Sequence, residues 1–268
     1  MAEFFKKNNG GERKPFRPFP QFKPSTADLV FGIQSVLETL RSGKEIDKIL
    51  VQRELSNVEV LEFARLRNVP VQKVPKEKLD SITRKNHQGV IAFVAAVNYA
   101  KLENIVADVF EKGETPLVLL LDRITDVRNI GAIARTAESA GVQALVVPVR
   151  GSAQINADAM KTSSGALNFL PVCRENSLVE AVRMLQDSGI QVVACTEKVS
   201  KSIYDVDFTG PTAIVMGSEE DGISDDLLRI CDELASIPMK GRVASLNVSV
   251  ANGVVLFEAI RQRLQSAP

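Results

Sequence analysis

Apolar positions along the chain fall into two successive blocks, each alternating helix-like spacing with strand-like runs. In the first block Ile33, Leu37 and Leu40 recur as on one helix face, and an apolar run at 49–51 follows as a strand. A second helical stretch over 58–67 and a short strand over 71–74, just after Pro70, continue the alternation. The polar stretch K-E-K-L-D-S-I-T-R-K-N-H-Q-G then leads into a strand over 90–97. This predicts a small α/β domain over 27–98, large enough to fold as a unit. Residues 99–114, charged and holding Gly113, read as a linker with a short helical turn. From 115 to 268 the pattern sharpens, with strands over 117–121, 144–148, 192–195 and 213–216. Helices are expected over 129–140, closed by Gly141, and over 179–187 and 252–264. The strands are continuously apolar, as in a parallel sheet covered on both faces. The expected class is α/β, with no internal repeat.

Residues 1–26 break this pattern. They carry six Lys and Arg against two Asp and Glu, four prolines and five of the twelve phenylalanines. Such a basic, Pro-broken tail buries too little surface to fold alone and is expected to be disordered. Its cations, interleaved with Phe16, Phe19 and Phe22, suit phosphate contact and base stacking as well as simple solubility. The whole chain balances 33 basic against 33 acidic residues, so nucleic-acid binding would need a local basic surface. Residues 27–98 hold eleven Lys and Arg against nine Asp and Glu, and the remainder is net acidic. Positive surface therefore concentrates towards the N-terminus.

Other chemistries are narrowed by what is scarce. Cys173, Cys195 and Cys231 are odd in number and far apart, which argues against a zinc site or a disulfide framework. A single histidine, His87, argues against a multi-His metal site or a Ser-His-Asp triad. The start lacks an apolar signal region, and no run approaches the roughly 18 apolar residues of a membrane span. A cytoplasmic protein without metal or membrane is expected.

Three strand-to-helix junctions carry candidate chemistry. The first, D-R-I-T-D-V-R-N-I-G-A-I-A-R-T-A-E-S-A-G, places Asp126, Arg128 and Asn129 at a loop mouth, where free helix N–H groups favour anions. Arg135 follows nearly two turns later and reads equally as a solvated cation or a partner of Glu138. Neither G-x-G-x-x-G nor a Walker lysine is present, so NAD and ATP readings are weak. The second junction sets Glu219, Glu220 and Asp221 between Gly217 and Gly222, an acidic loop that repels phosphate and suits a cation or a hydroxyl-rich ligand. Asp225 and Asp226 behind Ser224 read as partners of a helix dipole. The third alternates Ser245, Asn247 and Ser249 with Leu246 and Val248, giving a polar ledge beside an apolar face if extended. The same residues read equally as helix caps.

Together, Asn129-x-Gly131-x-x-x-Arg135-x-Ala137-x-x-x-Gly141, Met216-Gly217-Ser218-Glu219-x-x-Gly222 and Ile237-Pro238-Met239-x-Gly241-x-x-x-Ser245-Leu246-Asn247-Val248-Ser249 resemble the three ordered motifs of the SpoU/TrmH (SPOUT) class of RNA ribose 2′-O-methyltransferases. The resemblance covers the C-terminal block. The block before it looks like the small ribosomal-protein-like RNA-binding module of the subgroup that methylates a guanosine ribose in 23S (large-subunit) ribosomal RNA. One departure is Val127, where many members carry proline; this bears on loop stiffness more than on chemistry.

The resemblance implies a trefoil-knotted parallel sheet over 115–268 that binds S-adenosyl-L-methionine, with Gly217, Ile237 and Leu246 as cofactor contacts. It also implies a reaction centre of Asn129, Arg135, Glu219, Ser245 and Asn247, without metal, and a homodimer through the C-terminal domain whose second subunit completes the site. Arg135 is expected to contact the target phosphate and to polarise or deprotonate the ribose hydroxyl. A guanidinium stays protonated, so the phosphate clamp suits its chemistry better. Arg84, Lys85 and Arg128 are the candidate RNA contacts, with His87 either beside them or satisfied within its loop. The leading expectation is 2′-O-methylation of ribosomal RNA; the alternatives are a transfer RNA methyltransferase and a non-catalytic RNA-binding assembly factor.

Overall fold

The computed structural model describes residues 29–55, 58–242 and 245–266; the tail expected over 1–26 lies outside the described residues. The small unit runs β1 (Leu29–Phe31), α1 (Ile33–Arg41), β2 (Ile46–Gln52), α2 (Val58–Leu66), β3 (Val71–Val74), α3 (Lys76–Ile82) and β4 (Val90–Val94). Its sheet has the order β1-β4-β2-β3, antiparallel except for the β2–β3 pair. Val36, Leu37 and Leu40 of α1 pack with Val60 and Ala64 of α2 over Ile49 and Val51. Leu79 of α3 closes the other face against Leu50 and Ile91. That helix falls in the stretch read as merely polar, because it buries one side chain and so leaves no periodic signal.

The large unit begins earlier than the sequence pattern suggests. Residues 99–114, read as a linker from their charges, form β5 (Tyr99–Ala100) and α4 (Leu102–Glu111). Leu102, Val106 and Val109 of α4 are buried, at a spacing its charged residues obscure. There follow β6 (Leu117–Asp122), α5 (Val127–Ser139), β7 (Ala144–Pro148), α6 (Ala157–Thr162), β8 (Val172–Glu175), α7 (Leu178–Asp187), β9 (Gln191–Cys195), β10 (Thr212–Gly217), α8 (Asp225–Leu228), β11 (Glu233–Ala235) and α9 (Val248–Ser266). The seven strands are ordered β11-β9-β10-β6-β7-β8-β5, and every pairing among them is parallel.

The apolar runs explain the layering. Leu117, Leu119 and Leu121 of β6 join one core with Ile130 and Ile133 of α5 and Val255 and Leu256 of α9. Val118 and Leu120 join the opposite core with Leu102 of α4 and Val182 and Leu185 of α7. A strand buried on both sides must be apolar at both parities, which is why no alternation is visible in it. The chain leaves β6 towards β7 and β8 on one side and returns as β10 and β9 on the other, so the topology reverses between β6 and β10. In open α/β sheets, ligands bind at the carboxyl ends of strands beside such a reversal. Here those ends are Asp122 and Gly217, which stand in register.

Two anchors fix the ends of this arrangement. Arg263, near the end of α9, donates to the carbonyl oxygens of Phe208, Thr115, Pro116 and Gly210 at 2.8–3.0 Å, tying the helix to the lead-ins of β6 and β10. The small unit is held to β8 by Arg174, which donates to Ile46 O at 3.2 Å and pairs with Asp47 at 3.4 Å.

Candidate active site

Each of the three junctions supplies one part of the site, and each is shaped locally. Asp126 caps α5, its Oδ1 accepting the Arg128 N–H at 2.8 Å, and this sets Asn129 in the first helical turn. The helix starts at Val127, two residues before the expected start. Val127 therefore occupies the first helical position, where proline is tolerated and is not required. Gly131, one turn in, admits α6: a β-carbon there would lie 2.7 Å from Thr162 Cβ and 2.8 Å from Ala159 O.

At the end of β10, Gly217 packs against the backbone of Gly222 and Ile223, and a β-carbon would lie 2.2–2.4 Å from those atoms. Only glycine fits. The loop beyond closes on itself, Ser218 N–H donating to Gly222 O at 3.1 Å and Gly222 N–H to Ser218 O at 3.0 Å. Ser224 precedes α8, but its side chain makes no capping bond.

The ledge expected from the 245–249 alternation ends at Asn247, because the next residue is already helical. Asn247 caps α9, its Oδ1 accepting the Ser249 N–H at 3.0 Å and the Ser249 hydroxyl at 2.5 Å. The capping reading holds for Asn247, and Ser249 joins it from inside the helix. Val243 and Ala244, just before this stretch, lie outside the described residues.

The three parts meet on one carboxylate oxygen. Glu219 Oε1 accepts from Asn129 Nδ2 at 3.2 Å, Asn247 Nδ2 at 2.5 Å and the Val248 N–H at 3.3 Å. Asn247 Nδ2 also donates to Asn129 Oδ1 at 3.2 Å, which closes a triangle. These residues are 90, 118 and 28 positions apart in the chain, and the register of β6 with β10 is what brings them together.

A cavity and a groove adjoin this triangle, and Glu219 lines both. The cavity is lined by Met216, Gly217, Ile237, Ser245, Leu246 and Val248, with Glu197, Glu219 and Glu220 on its polar side. Gly217, Ile237, Leu246 and Ser245, named from the motifs, thus share one wall. Apolar side chains suit the face of a ring, and carboxylates favour a cationic group. Cys195 also lines the cavity; burial, then the nearby Glu197 charge, push its thiol up to about 12, so it stays neutral. The groove, of about 1230 Å³, runs past Arg123, Arg128, Asn129, Lys161, Thr162 and Glu219. Arg128 is exposed and lies 4.0 Å from Asp126, a surface pair of little energetic weight.

Arg135 is not part of this cluster. It is exposed on α5 and lines neither the cavity nor the groove. Arg84 and Lys85 are exposed on the small unit, with the Lys85 ammonium 5.5 Å from the Phe31 ring centre. His87 is buried, its Nε2 2.9 Å from Asp80 and its Nδ1 accepting the Gly89 N–H at 2.9 Å. Both ring nitrogens are thus satisfied within the small unit.

Asp122, Arg123, Lys161 and Thr162 were not singled out by the sequence. Asp122 and Arg123 stood in the first motif without a recognisable spacing, and Lys161 and Thr162 belong to a helix of six residues. Among the described residues no group of three or more His, Cys, Asp or Glu side chains is placed to hold a metal ion. No helix among them is long and apolar enough to cross a membrane.

An open α/β sheet with a mixed apolar and anionic cavity at its strand ends, beside a groove lined by Arg128 and Lys161, defines an α/β protein with a binding site for a small ligand that carries an apolar ring and a positive charge. The comparisons make this specific: the chain belongs to the SpoU rRNA methylase family, whose model matches residues 116–257. Residues 29–100 match the RNA 2′-O ribose methyltransferase substrate-binding family. The 23S rRNA (guanosine-2′-O-)-methyltransferase RlmB of Photorhabdus laumondii is 44% identical over 245 residues, covering 88% of this chain and 99% of that one. The enzyme of the same name from Vibrio parahaemolyticus is 39% identical over 242 residues, covering 88% and 98%. Among solved structures, the SpoU methyltransferase AviRb from Streptomyces viridochromogenes, in complex with AdoMet, superposes with a TM-score of 0.57 at 30% identity, covering 89% of this chain and 91% of that one.

Proposed function

We propose that this protein transfers a methyl group from S-adenosyl-L-methionine to the 2′-hydroxyl of a guanosine ribose in 23S ribosomal RNA. The observation that carries the reading is the triangle of Glu219, Asn129 and Asn247, beside a cavity with apolar and acidic walls and a groove lined by Arg128 and Lys161. Relatives that match along nearly their whole length bear the same activity in their names.

The residues fit the donor. Ile237, Leu246 and Val248 offer an apolar wall for its adenine ring, and the carboxylates of Glu197, Glu219 and Glu220 favour its positive charge. S-adenosyl-L-methionine, when bound, supplies a methyl already activated by its sulfonium. What remains for the chain is to orient the ribose hydroxyl and to assist loss of its proton. Glu219 fixes both asparagine amides, and Asn129 lies on the groove side, where it can hold the ribose. Arg128 and Lys161 line the same groove and offer charge to the flanking phosphates.

Arg135 is assigned to the target phosphate as a clamp, since a guanidinium does not give up its proton. It lies six residues beyond Asn129, about 9 Å along the helix axis. In a homodimer through the C-terminal domain the second subunit would complete the site. Exposed Val250 and Phe257 on α9 support such a face. Ile237, Ser245 and Leu246, which line one cavity with Ser218, Glu219 and Gly222, are read as belonging to a trefoil knot. The small unit captures RNA through Arg84 and Lys85, and a ribosomal RNA substrate fits a cytoplasmic location.

The test is methyl transfer from radiolabelled S-adenosyl-L-methionine to unmodified 23S RNA and, in parallel, to transfer RNA, with mass spectrometry to locate the methyl. One 2′-O-methylguanosine in the 23S RNA is expected. Methylation of transfer RNA alone would replace the substrate, and tight RNA binding without transfer to either would replace the enzyme reading by that of an assembly factor.

A further inference from the structure

The acidic loop 218–222 carries three consecutive carboxylates, Glu219, Glu220 and Asp221, yet it must hold Glu219 in one place. Adjacent like charges push apart, so the loop needs a cation or firm ties. It receives both from the end of β6, which no motif assigns to the reaction.

Arg123 leaves the strand with φ 58°, a left-handed conformation that residues bearing a side chain rarely adopt. The strain coincides with three contacts. The Arg123 Nη2 group donates to Gly222 O at 3.2 Å, Nη1 lies 3.5 Å from Asp221 Oδ2, and Nε lies 3.4 Å from Asp122 Oδ1. Asp122, itself buried, accepts the Ser224 N–H on Oδ2 at 2.7 Å. Two neighbouring side chains thus hold the loop at Asp221 and Gly222 and again at Ser224. Between them, Asp221 N–H donates to Ser218 Oγ at 3.1 Å. Glu219 lies inside this tied segment and is the acceptor for Asn129, Asn247 and Val248.

We infer that Arg123 is a positioning residue for methyl transfer: it clamps the 218–222 loop in the form in which Glu219 gathers the other two motifs. The inference rests on reading this site as the methyltransferase centre. Arg123 touches none of Asn129, Glu219 and Asn247 by a hydrogen bond or ion pair, and acts through Asp221 and Gly222.

The test uses the full-length chain with Arg123→Gly, Arg123→Lys, Asp221→Asn and the Arg123→Gly/Asp221→Asn double variant. Glycine takes a positive φ without strain, so Arg123→Gly removes the guanidinium while keeping the turn. Four quantities are read: melting temperature, S-adenosyl-L-methionine affinity by calorimetry, kcat and KM for 23S RNA, and amide hydrogen exchange over 218–224. Arg123→Gly is expected to melt close to wild type, to exchange faster in that segment, and to lose on the order of tenfold to a hundredfold in kcat with little change in RNA KM. Asp221→Asn should fall in the same direction, the double variant should be no worse than Arg123→Gly, and Arg123→Lys should recover part of the loss.

A rise in RNA KM with kcat unchanged would make Arg123 a phosphate contact in the groove and overturn the inference. So would wild-type turnover in Arg123→Gly, or faster exchange without any loss of cofactor affinity or turnover. If the wild-type chain methylated no RNA, the proposed function would fall, while exchange and cofactor affinity would still decide the clamp.

Discussion

Arg174→Met should unfasten the two units of the molecule, and the size of the effect follows from the burial of the pair it breaks. The Arg174 and Asp47 side chains are 12% and 6% exposed, with Nη1 3.4 Å from Asp47 Oδ1. The guanidinium also donates to Ile46 O and stacks 4.1 Å from the Tyr99 ring centre. Removing one partner of a buried pair typically costs about 3–5 kcal/mol, because the other charge is left without compensation. Tyr99 still donates to Asp47 Oδ1 at 2.6 Å, so the loss should fall towards the lower end of that range.

The effect should depend on pH with a definite sign. Burial raises the Asp47 carboxyl above its ordinary 3.8, and the Tyr99 hydroxyl and then the Arg174 charge pull it back down. Without Arg174 the folded-state value climbs further. A carboxyl whose pKa is raised by folding favours the fold when protonated. That contribution is complete below the unfolded value and is lost as pH rises through the folded one. The variant is therefore weakest near neutrality and recovers as pH falls towards 3.8, whereas Arg174→Met/Asp47→Asn should regain most of the loss at pH 7. Urea titration followed by tyrosine fluorescence reads this directly, since the chain has no tryptophan and two tyrosines, of which Tyr99 sits in the contact. A loss below about 1 kcal/mol at pH 7, or one that does not shrink as the pH falls to 3.8, would refute the reasoning.

Three further outcomes are expected. Glu219→Gln keeps the shape but removes the charge on which three donors meet, so kcat should drop on the order of tenfold to a hundredfold with the melting temperature held; unchanged turnover would leave Glu219 only a loop residue. Replacing Arg84 and Lys85 together by Ala should weaken RNA binding and flatten its salt dependence, each lost phosphate contact lowering the slope by about 0.7–0.9; a slope equal to wild type would remove them from the RNA face. Asn252, fully buried on α9 with neither amide atom hydrogen-bonded, should gain about 1–2 kcal/mol of stability on mutation to Ala; a lower melting temperature would mean that the amide has partners, such as an enclosed water.

How much of this could be read from the chain differs between fold and site. The strands β6, β7, β9 and β10 were legible because burial on both faces makes each a continuous apolar run. β1, β5 and β11 were not, at three, two and three residues. α3 and α6 escaped because each buries a single side chain. α9 begins four residues before the expected start, since Asn247 capping cannot be told from an extended alternation until the backbone is known. The motifs located Asn129, Glu219 and Asn247, but not their meeting on one oxygen, which depends on β10 returning beside β6. Arg123 left no signal at all: its part is set by a positive φ and by an acidic loop nearly a hundred positions away.

That convergence should make the centre sensitive beyond the residues that line it. Three loops from distant parts of the chain share a single acceptor, so a displacement of any one is felt by the other two. Gly217 fixes the floor of the acidic loop because no β-carbon fits there, Asn247 fixes the start of α9, and Asp126 fixes the start of α5. The cations proposed to capture RNA, Arg84 and Lys85, lie by contrast on a separate unit, tied to β8 by the buried Arg174–Asp47 pair and its neighbouring hydrogen bonds. Binding and turnover are therefore expected to respond to different substitutions. Changes at Arg84 and Lys85 should act on affinity and salt dependence, changes around Glu219 on the rate of the bound complex, and a change at Arg174 on the coupling between them.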